Sequence, residues 1–267
     1  MKYVLVETNI TNMYTQIGLT EKIAIVDKMI HVAGSTDNQH LLVPNNMAEI
    51  YIPLNNVEFK CIGSVRSITL KESDGYFLMP RRRGASINLL NNSSCLIVGI
   101  NPIYANKIAK GLKEVSSGIS LINFSSSQKK SLIRAWENKD TYMASDILEG
   151  IFHQTIDLFE YNDTVLNSIE QIQESFGRTS IKEIYSNLNV SKSKLEQHFN
   201  REVGLTPKEF CKIEKINYFI NSYLEDPGQS LTELTYLCGY YDQSHLIKDF
   251  KYFLDTSPKK FFASFTR

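Results

Sequence analysis

Ser180–Asn200 reads SIKEIYSNLNVSKSKLEQHFN, and Ser230–Lys251 reads SLTELTYLCGYYDQSHLIKDFK. Each stretch predicts an amphipathic helix, a short turn and a second amphipathic helix. In the first, Ser180 or Thr179 caps a helix whose apolar residues are Ile181, Ile184, Tyr185 and Leu188. Asn187 and Asn189 suit a turn, and Ser191 caps the next helix. Lys194 stands where a glutamate would close a capping box, so no box is expected there. Leu195 and Phe199 lie four apart and share the inner face. In the second stretch, Ser230 caps a helix with Leu231, Leu234 and Leu237. Gly239-Tyr240 turns, and Leu246 and Phe250 repeat the four-residue spacing. Two helix-turn-helix units in one region point to nucleic acid rather than to catalysis.

The segment between them fits a rigid spacer. Thr206-Pro207 opens a long helix carrying Phe210, Ile213, Ile216, Phe219, Ile220, Tyr223 and Leu224, and Asp226-Pro227-Gly228 ends it. Phe253, Leu254, Pro258, Phe261 and Phe262 complete the expected core. Upstream, Val165–Phe176 is a helix stopped by Gly177, with Asp163 or Thr164 as its cap. The polar Glu160–Thr164 stretch marks the boundary between residues 1–160 and 164–267.

Residues 1–160 read as β-rich. Lys2–Glu7, Glu49–Ile52, Val57–Ile62, Ser64–Leu70, Gly75–Met79 and Cys95–Ile100 are strand candidates, with turn residues between most of them. Glu21–Val32 is a helix or a strand on its pattern alone. The expectation is a small barrel or curled sheet out to about Ile100. Asn101-Pro102 opens a helix, and Gly118–Ser127 is a polar loop with one apolar patch. Gln128–Asn138 and Ala144–Phe159 are helices, and a homodimer contact is expected within residues 128–160. The fold class is α+β, a β-rich domain with helices followed by an all-α domain.

Composition narrows the function. Of 267 residues, 29 are basic and 29 acidic, and 42% are hydrophobic. Packed cores are affordable on this composition, and disorder is not indicated. Residues 178–267 hold 13 basic against 11 acidic residues, leaving 16 against 18 for residues 1–177. A DNA-binding surface must therefore come from placement of charge. Cys61, Cys95, Cys211 and Cys238 show no metal-ligand spacing, and no apolar run approaches membrane-spanning length. A cytoplasmic protein is expected. No phosphate-binding glycine loop, nucleophile elbow or HExxH motif is present, so neither catalysis, a cofactor nor a metal is expected. His31 and His40 read as packing or polar residues. Arg81-Arg82-Arg83, between Pro80 and Gly84, is either a solvated turn or a ligand or interdomain contact, because three guanidiniums repel unless an anion is near.

Residues Thr179–Phe262 resemble the C-terminal DNA-binding domain of the AraC/XylS family of transcriptional regulators. The resemblance rests on Val190-Ser191, Leu195 and Phe199, and Gly204-Leu205-Thr206-Pro207 with Phe210. It continues through Gly239–Leu246, Phe250-Lys251 and Thr256–Phe261. It implies seven helices in two subdomains joined by a linker helix near Lys208–Tyr223. It also implies reading helices at 191–200 and 243–252. Ser193, Glu196, Gln197 and Asn200 would face DNA from the first helix. Gln243, Ser244, Ile247 and Lys248 would do so from the second, with Lys251 beside them. Gln197 stands where the family often has a basic residue, Lys215 where it has arginine, and Tyr185 and Thr235 where it has alanine. The N-terminal part resembles the small β-rich domain of some Bacteroidetes-type members through Pro44–Leu54, Pro80–Arg83 and Val98–Pro102. The partners implied are double-stranded promoter DNA, RNA polymerase, a small-molecule effector and a second copy of the chain, in an activator. The alternative is a protein-interaction module on a helix-turn-helix scaffold that has lost DNA binding.

Overall fold

A computed structural model describes residues 2–4, 24–34, 39–89, 93–116, 118–156 and 162–263. The strands are β1 (Lys2–Val4), β2 (Val26–Ala33), β3 (Gln39–Leu42), β4 (Ala48–Pro53), β5 (Val57–Cys61), β6 (Ile68–Leu70), β7 (Gly75–Leu78), β8 (Ala85–Asn88), β9 (Ser94–Ile100), β10 (Lys113–Ser116) and β11 (Ile119–Ile122). They form two sheets, ordered β1-β3-β8-β5-β6 and β10-β11-β7-β4-β9-β2. Every pairing is antiparallel except β1 with β3.

The two sheets share an apolar interior. Leu42, Phe59 and Ile87 from one meet Tyr51, Tyr76 and Ile97 from the other. The second sheet is covered on its other face as well, where Ile50, Ile52, Phe77, Leu96, Val98 and Ile100 belong to the main core. Burial on both faces explains why β4 and β9 read as continuous apolar runs rather than as alternation.

Several expectations are corrected here. There are two packed sheets rather than one small barrel or curled sheet. Within Glu21–Val32 the strand begins at Val26, and residues 21–23 lie outside the described residues. The strand signal does not stop at Ile100, because Ile119–Ile122 is a strand rather than an apolar patch in a loop. It pairs with β7, Leu121 opposite Tyr76. Gln39–Leu42 and Ala85–Asn88, not anticipated, pair with each other.

A 3-10 turn (Pro102–Tyr104) leads into α1 (Ala105–Lys110). Then come α2 (Ser126–Glu137), with a Ser125–Gln128 capping box, and α3 (Thr141–Ile156). Both α2 and α3 pack on β2. His31 lies against Trp136 with ring centroids 4.6 Å apart, and burial lowers its pKa, which makes it a packing residue. The C-terminal region contains α4 (Asp163–Glu174), α5 (Ile181–Asn187), α6 (Lys192–Val203), α7 (Pro207–Glu225), α8 (Leu231–Leu237), α9 (Gln243–Leu254) and α10 (Pro258–Ala263). Asn162, not Asp163 or Thr164, caps α4, accepting from the Thr164 and Val165 amides.

One apolar cluster runs through both regions, from Ile50 and Val98 to Phe199, Phe219 and Phe250. Polar bonds cross the same seam. Asn46 Nδ2 donates to the Phe210 carbonyl at 3.0 Å and to Glu214 Oε1 at 2.9 Å. Asn217 Nδ2 donates to the Pro44 carbonyl at 3.0 Å.

Candidate nucleic-acid interface

The two helix-turn-helix units are one backbone design used twice. In the first, the Leu188 amide donates to the Ile184 carbonyl, Asn189 to Ser186, and Val190 to Tyr185. In the second, Cys238 donates to Leu234, Gly239 to Tyr236, and Tyr240 to Thr235. The middle residue of each turn must be left-handed: Asn189 has φ 51° and Gly239 has φ 74°. Asparagine and glycine are the residues that tolerate that region at least cost. The second unit then inserts one extra residue, Tyr241, ahead of its cap.

The second helices of the two units, α6 and α9, are capped alike. Ser191 Oγ accepts from the Lys194 amide at 3.3 Å, and Asp242 Oδ1 from the His245 amide at 2.8 Å. Leu195 and Phe199 on α6, and Leu246 and Phe250 on α9, are buried as the spacing predicts. Phe250 is wedged edge-on between Phe219 of α7 and Phe261 of α10, with centroids 5.6 Å from each.

The opposite faces of both helices are open. On α6, Ser193, Gln197 and Asn200 are exposed and Glu196 is half-buried. On α9, Gln243, Ser244, Lys248 and Lys251 are exposed and Ile247 is half-buried. The charges differ between units. Lys192 lies 3.8 Å from Glu196, a salt bridge within α6. Neither Lys248 nor Lys251 is in an ion pair among the described residues. Gln243 Nε2 donates to Thr232 Oγ1 at 2.6 Å, a bond between the two helices of the second unit that spacing alone did not reveal.

The long helix α7 holds both units. Thr206 and Glu209 form a capping box at its start, and Pro207 takes an early position where its missing N–H costs nothing. Lys215 Nζ donates to the Gly239 carbonyl at 3.1 Å and lies over the Tyr240 ring, so it pins the second turn. Lys212 Nζ pairs with Asp249 on α9 at 2.7 Å. Cys211 and Cys238 are buried, and burial pushes both thiols up to about 12, as suits small core groups.

The three arginines separate into different roles. Arg81 is buried and pairs with Glu49 at 2.8 Å, within the β region. Tyr51 donates to the same carboxylate at 2.7 Å. Arg82 crosses the seam to Glu209 at 2.7 Å, and its Nη2 reaches the Gly204 carbonyl. Arg83 lies over the Tyr252 ring of α9, 5.3 Å from its centroid. The next residue, Gly84, donates its amide to the Phe253 carbonyl at 2.8 Å. Asn106 of α1 donates to the Asn200 and Arg201 carbonyls at 3.2 and 3.0 Å. The β region thus holds the C-terminal ends of both α6 and α9.

Among the described residues no group of three or more histidine, cysteine or acidic side chains is placed to hold a metal. No helix among them is long and apolar enough to cross a membrane.

These features define a bipartite helix-turn-helix protein. A family model described as a helix-turn-helix domain matches residues 185–264. The match spans both repeated units and identifies residues 185–264 as a helix-turn-helix domain. Comparison with curated proteins finds no match. Among solved structures, the fold is similar to that of ToxT from Vibrio cholerae. That match has 13% identity and a TM-score of 0.55, and it covers 88% of this chain and 97% of that one. ToxT from strain SCE256 with a bound unsaturated fatty acid matches at 14% identity and a TM-score of 0.54, over 90% of this chain and 96% of that one. ToxT from strain O395 bound to (E)-4-(8-methylnaphthalen-1-yl)but-3-enoic acid matches at 13% identity and a TM-score of 0.55, over 88% and 98%.

Proposed function

We propose that the chain is a sequence-specific activator that reads two adjacent major-groove segments, one with α6 and one with α9. The observation that carries this reading is the repeat itself. Two capped helices present open polar faces from the same turn, and α7 fixes both. Ser193, Glu196, Gln197 and Asn200 would meet one segment. Gln243, Ser244, Ile247, Lys248 and Lys251 would meet the next. Gln197, Asn200 and Gln243 have the paired donor and acceptor that base edges require, and the lysines suit phosphates.

In this reading the β region takes a small-molecule effector at the seam. Among the described residues Lys28 Nζ, Asn46 Oδ1 and Asn217 Oδ1 are buried without a hydrogen-bond partner. Asn46 and Asn217 already bond across the seam. Buried polar atoms left unpaired are costly, so a polar ligand that met them would stabilise the seated arrangement. Fold neighbours with bound carboxylic acids support an effector of that kind. A second copy of the chain, through residues 128–160, and RNA polymerase complete the proposed set of partners.

The test is binding of the full chain to its native upstream DNA and to random duplex at several salt concentrations. Preference for the native DNA is the expected result, with that preference weakened by Gln243→Ala and the affinity for the native DNA lowered by Lys248→Ala. A folded protein with no preference for native DNA at any salt would refute the reading and favour the protein-interaction alternative.

A further inference from the structure

We infer that Thr232 is a positioning residue that fixes base specificity in the second unit by orienting Gln243 toward adenine. The inference rests on the proposed role of α9 as a reading helix and deepens it. Gln243 is the first residue of α9, and Thr232 is the second residue of α8. Both are exposed, yet the Gln243 amide is not left to rotate, because its Nε2 donates to Thr232 Oγ1 at 2.6 Å. Thr232 is itself placed by the helix start, its amide donating to Ser230 Oγ at 3.3 Å.

An amide nitrogen has two hydrogens. With one held by Thr232, the other remains beside Oε1. That pair is one donor next to one acceptor, the complement of adenine N7 and N6–H in the major groove. A free glutamine would pay to order its rotamers on binding, whereas this one is ordered beforehand.

The first unit shows what the same place looks like without the lock. Matching the turns and caps of the two units aligns Thr232 with Lys182 and Gln243 with Lys192. Two lysines cannot form such a bond. Lys192 instead lies near Glu196 on its own helix. The two units therefore use the start of the reading helix differently: a cation suited to phosphate in the first, an oriented amide suited to a base in the second.

The experiment uses the full chain and a duplex selected by the wild-type protein from a random pool. Each base pair is then replaced singly. Affinities are measured for the wild type, Gln243→Ala, Thr232→Val and Thr232→Ser. Gln243→Ala is expected to abolish discrimination at one A·T pair. Thr232→Val, which keeps the shape and loses the hydroxyl, should lose about three- to tenfold discrimination at that same pair, the cost of ordering one long side chain. Thr232→Ser should retain it, and the salt dependence should be unchanged in all four proteins. Wild-type discrimination in Thr232→Val, or uniform weakening across every pair, would overturn the role of Thr232 while leaving the reading of Gln243 in place. If Gln243→Ala changed no base pair, both would fall.

Discussion

Removing Lys248 and Lys251 together separates phosphate contact from base reading. Both side chains are exposed on α9, and neither is held by an acidic neighbour among the described residues, so each is free to replace a condensed counterion. One such contact contributes about 0.9 to the slope of log affinity against log salt. Two lysines therefore contribute about 1.8. Over a fourfold change, from about 50 to 200 mM salt, that slope corresponds to about a tenfold change in affinity. Lys248→Ala/Lys251→Ala should accordingly bind more weakly than the wild type, by a factor about ten times larger at 50 mM than at 200 mM. Its preference for native over random DNA should persist, because phosphate contacts carry little sequence information. Fluorescence anisotropy of a labelled duplex across that salt range measures both quantities. Parallel salt dependences for wild type and variant would refute the placement of these lysines against the backbone.

Three further outcomes follow from the geometry. Glu196→Gln frees Lys192 and removes a carboxylate from the open face of α6, so affinity for random duplex should rise by about two- to fivefold at low salt; an unchanged or lower affinity in a titration would count against that face meeting DNA. Arg81→Met leaves Glu49 with Asn45 and Tyr51 as donors but without its cation, and urea unfolding should report a loss of about 3 kcal/mol, the lower end for breaking a buried pair. Burial holds the Glu214 carboxyl above its ordinary value of 4.5, with the Asn46 hydrogen bond and Lys28 opposing. The folded state thus keeps a proton that the unfolded chain has lost, and stability is lost as pH rises through the window above 4.5. Glu214→Gln keeps an acceptor for Asn46, and thermal melts should show it more stable than wild type at neutral pH, with the difference shrinking toward acid.

The helix-turn-helix region is legible because its determinants are local. A cap, a left-handed turn residue and two apolar residues four apart lie within about twenty positions, and the same set recurs at Ser230–Lys251. Asn189 and Gly239 differ in identity yet meet the same backbone demand, so the repeat survives the substitution. In the β region the apolar strands are legible, both those buried on two faces, as at Glu49–Ile52 and Cys95–Ile100, and the alternating Val57–Cys61. Gln39–Leu42 and Ala85–Asn88 are short and partly polar, and what makes them strands is their pairing, His40 opposite Ile87. Ile119–Ile122 needed β7, some forty positions earlier. The seam could not be read at all. Asn217 and Pro44 are 173 positions apart, and nothing in either neighbourhood marks the other. The arginine run stood out as a feature, but its division among Glu49, Glu209 and Tyr252 depends on where the chain folds back.

The Gly84 amide bonded to the Phe253 carbonyl makes the last turn of α9 part of the hydrogen-bond network of a loop in the β region. Together with the shared apolar core, this couples the two regions in melting. Heat should not release the helix-turn-helix region first and leave the sheets standing. The chain should unfold as one cooperative unit, and a lesion in a strand would then be felt at α9 as well.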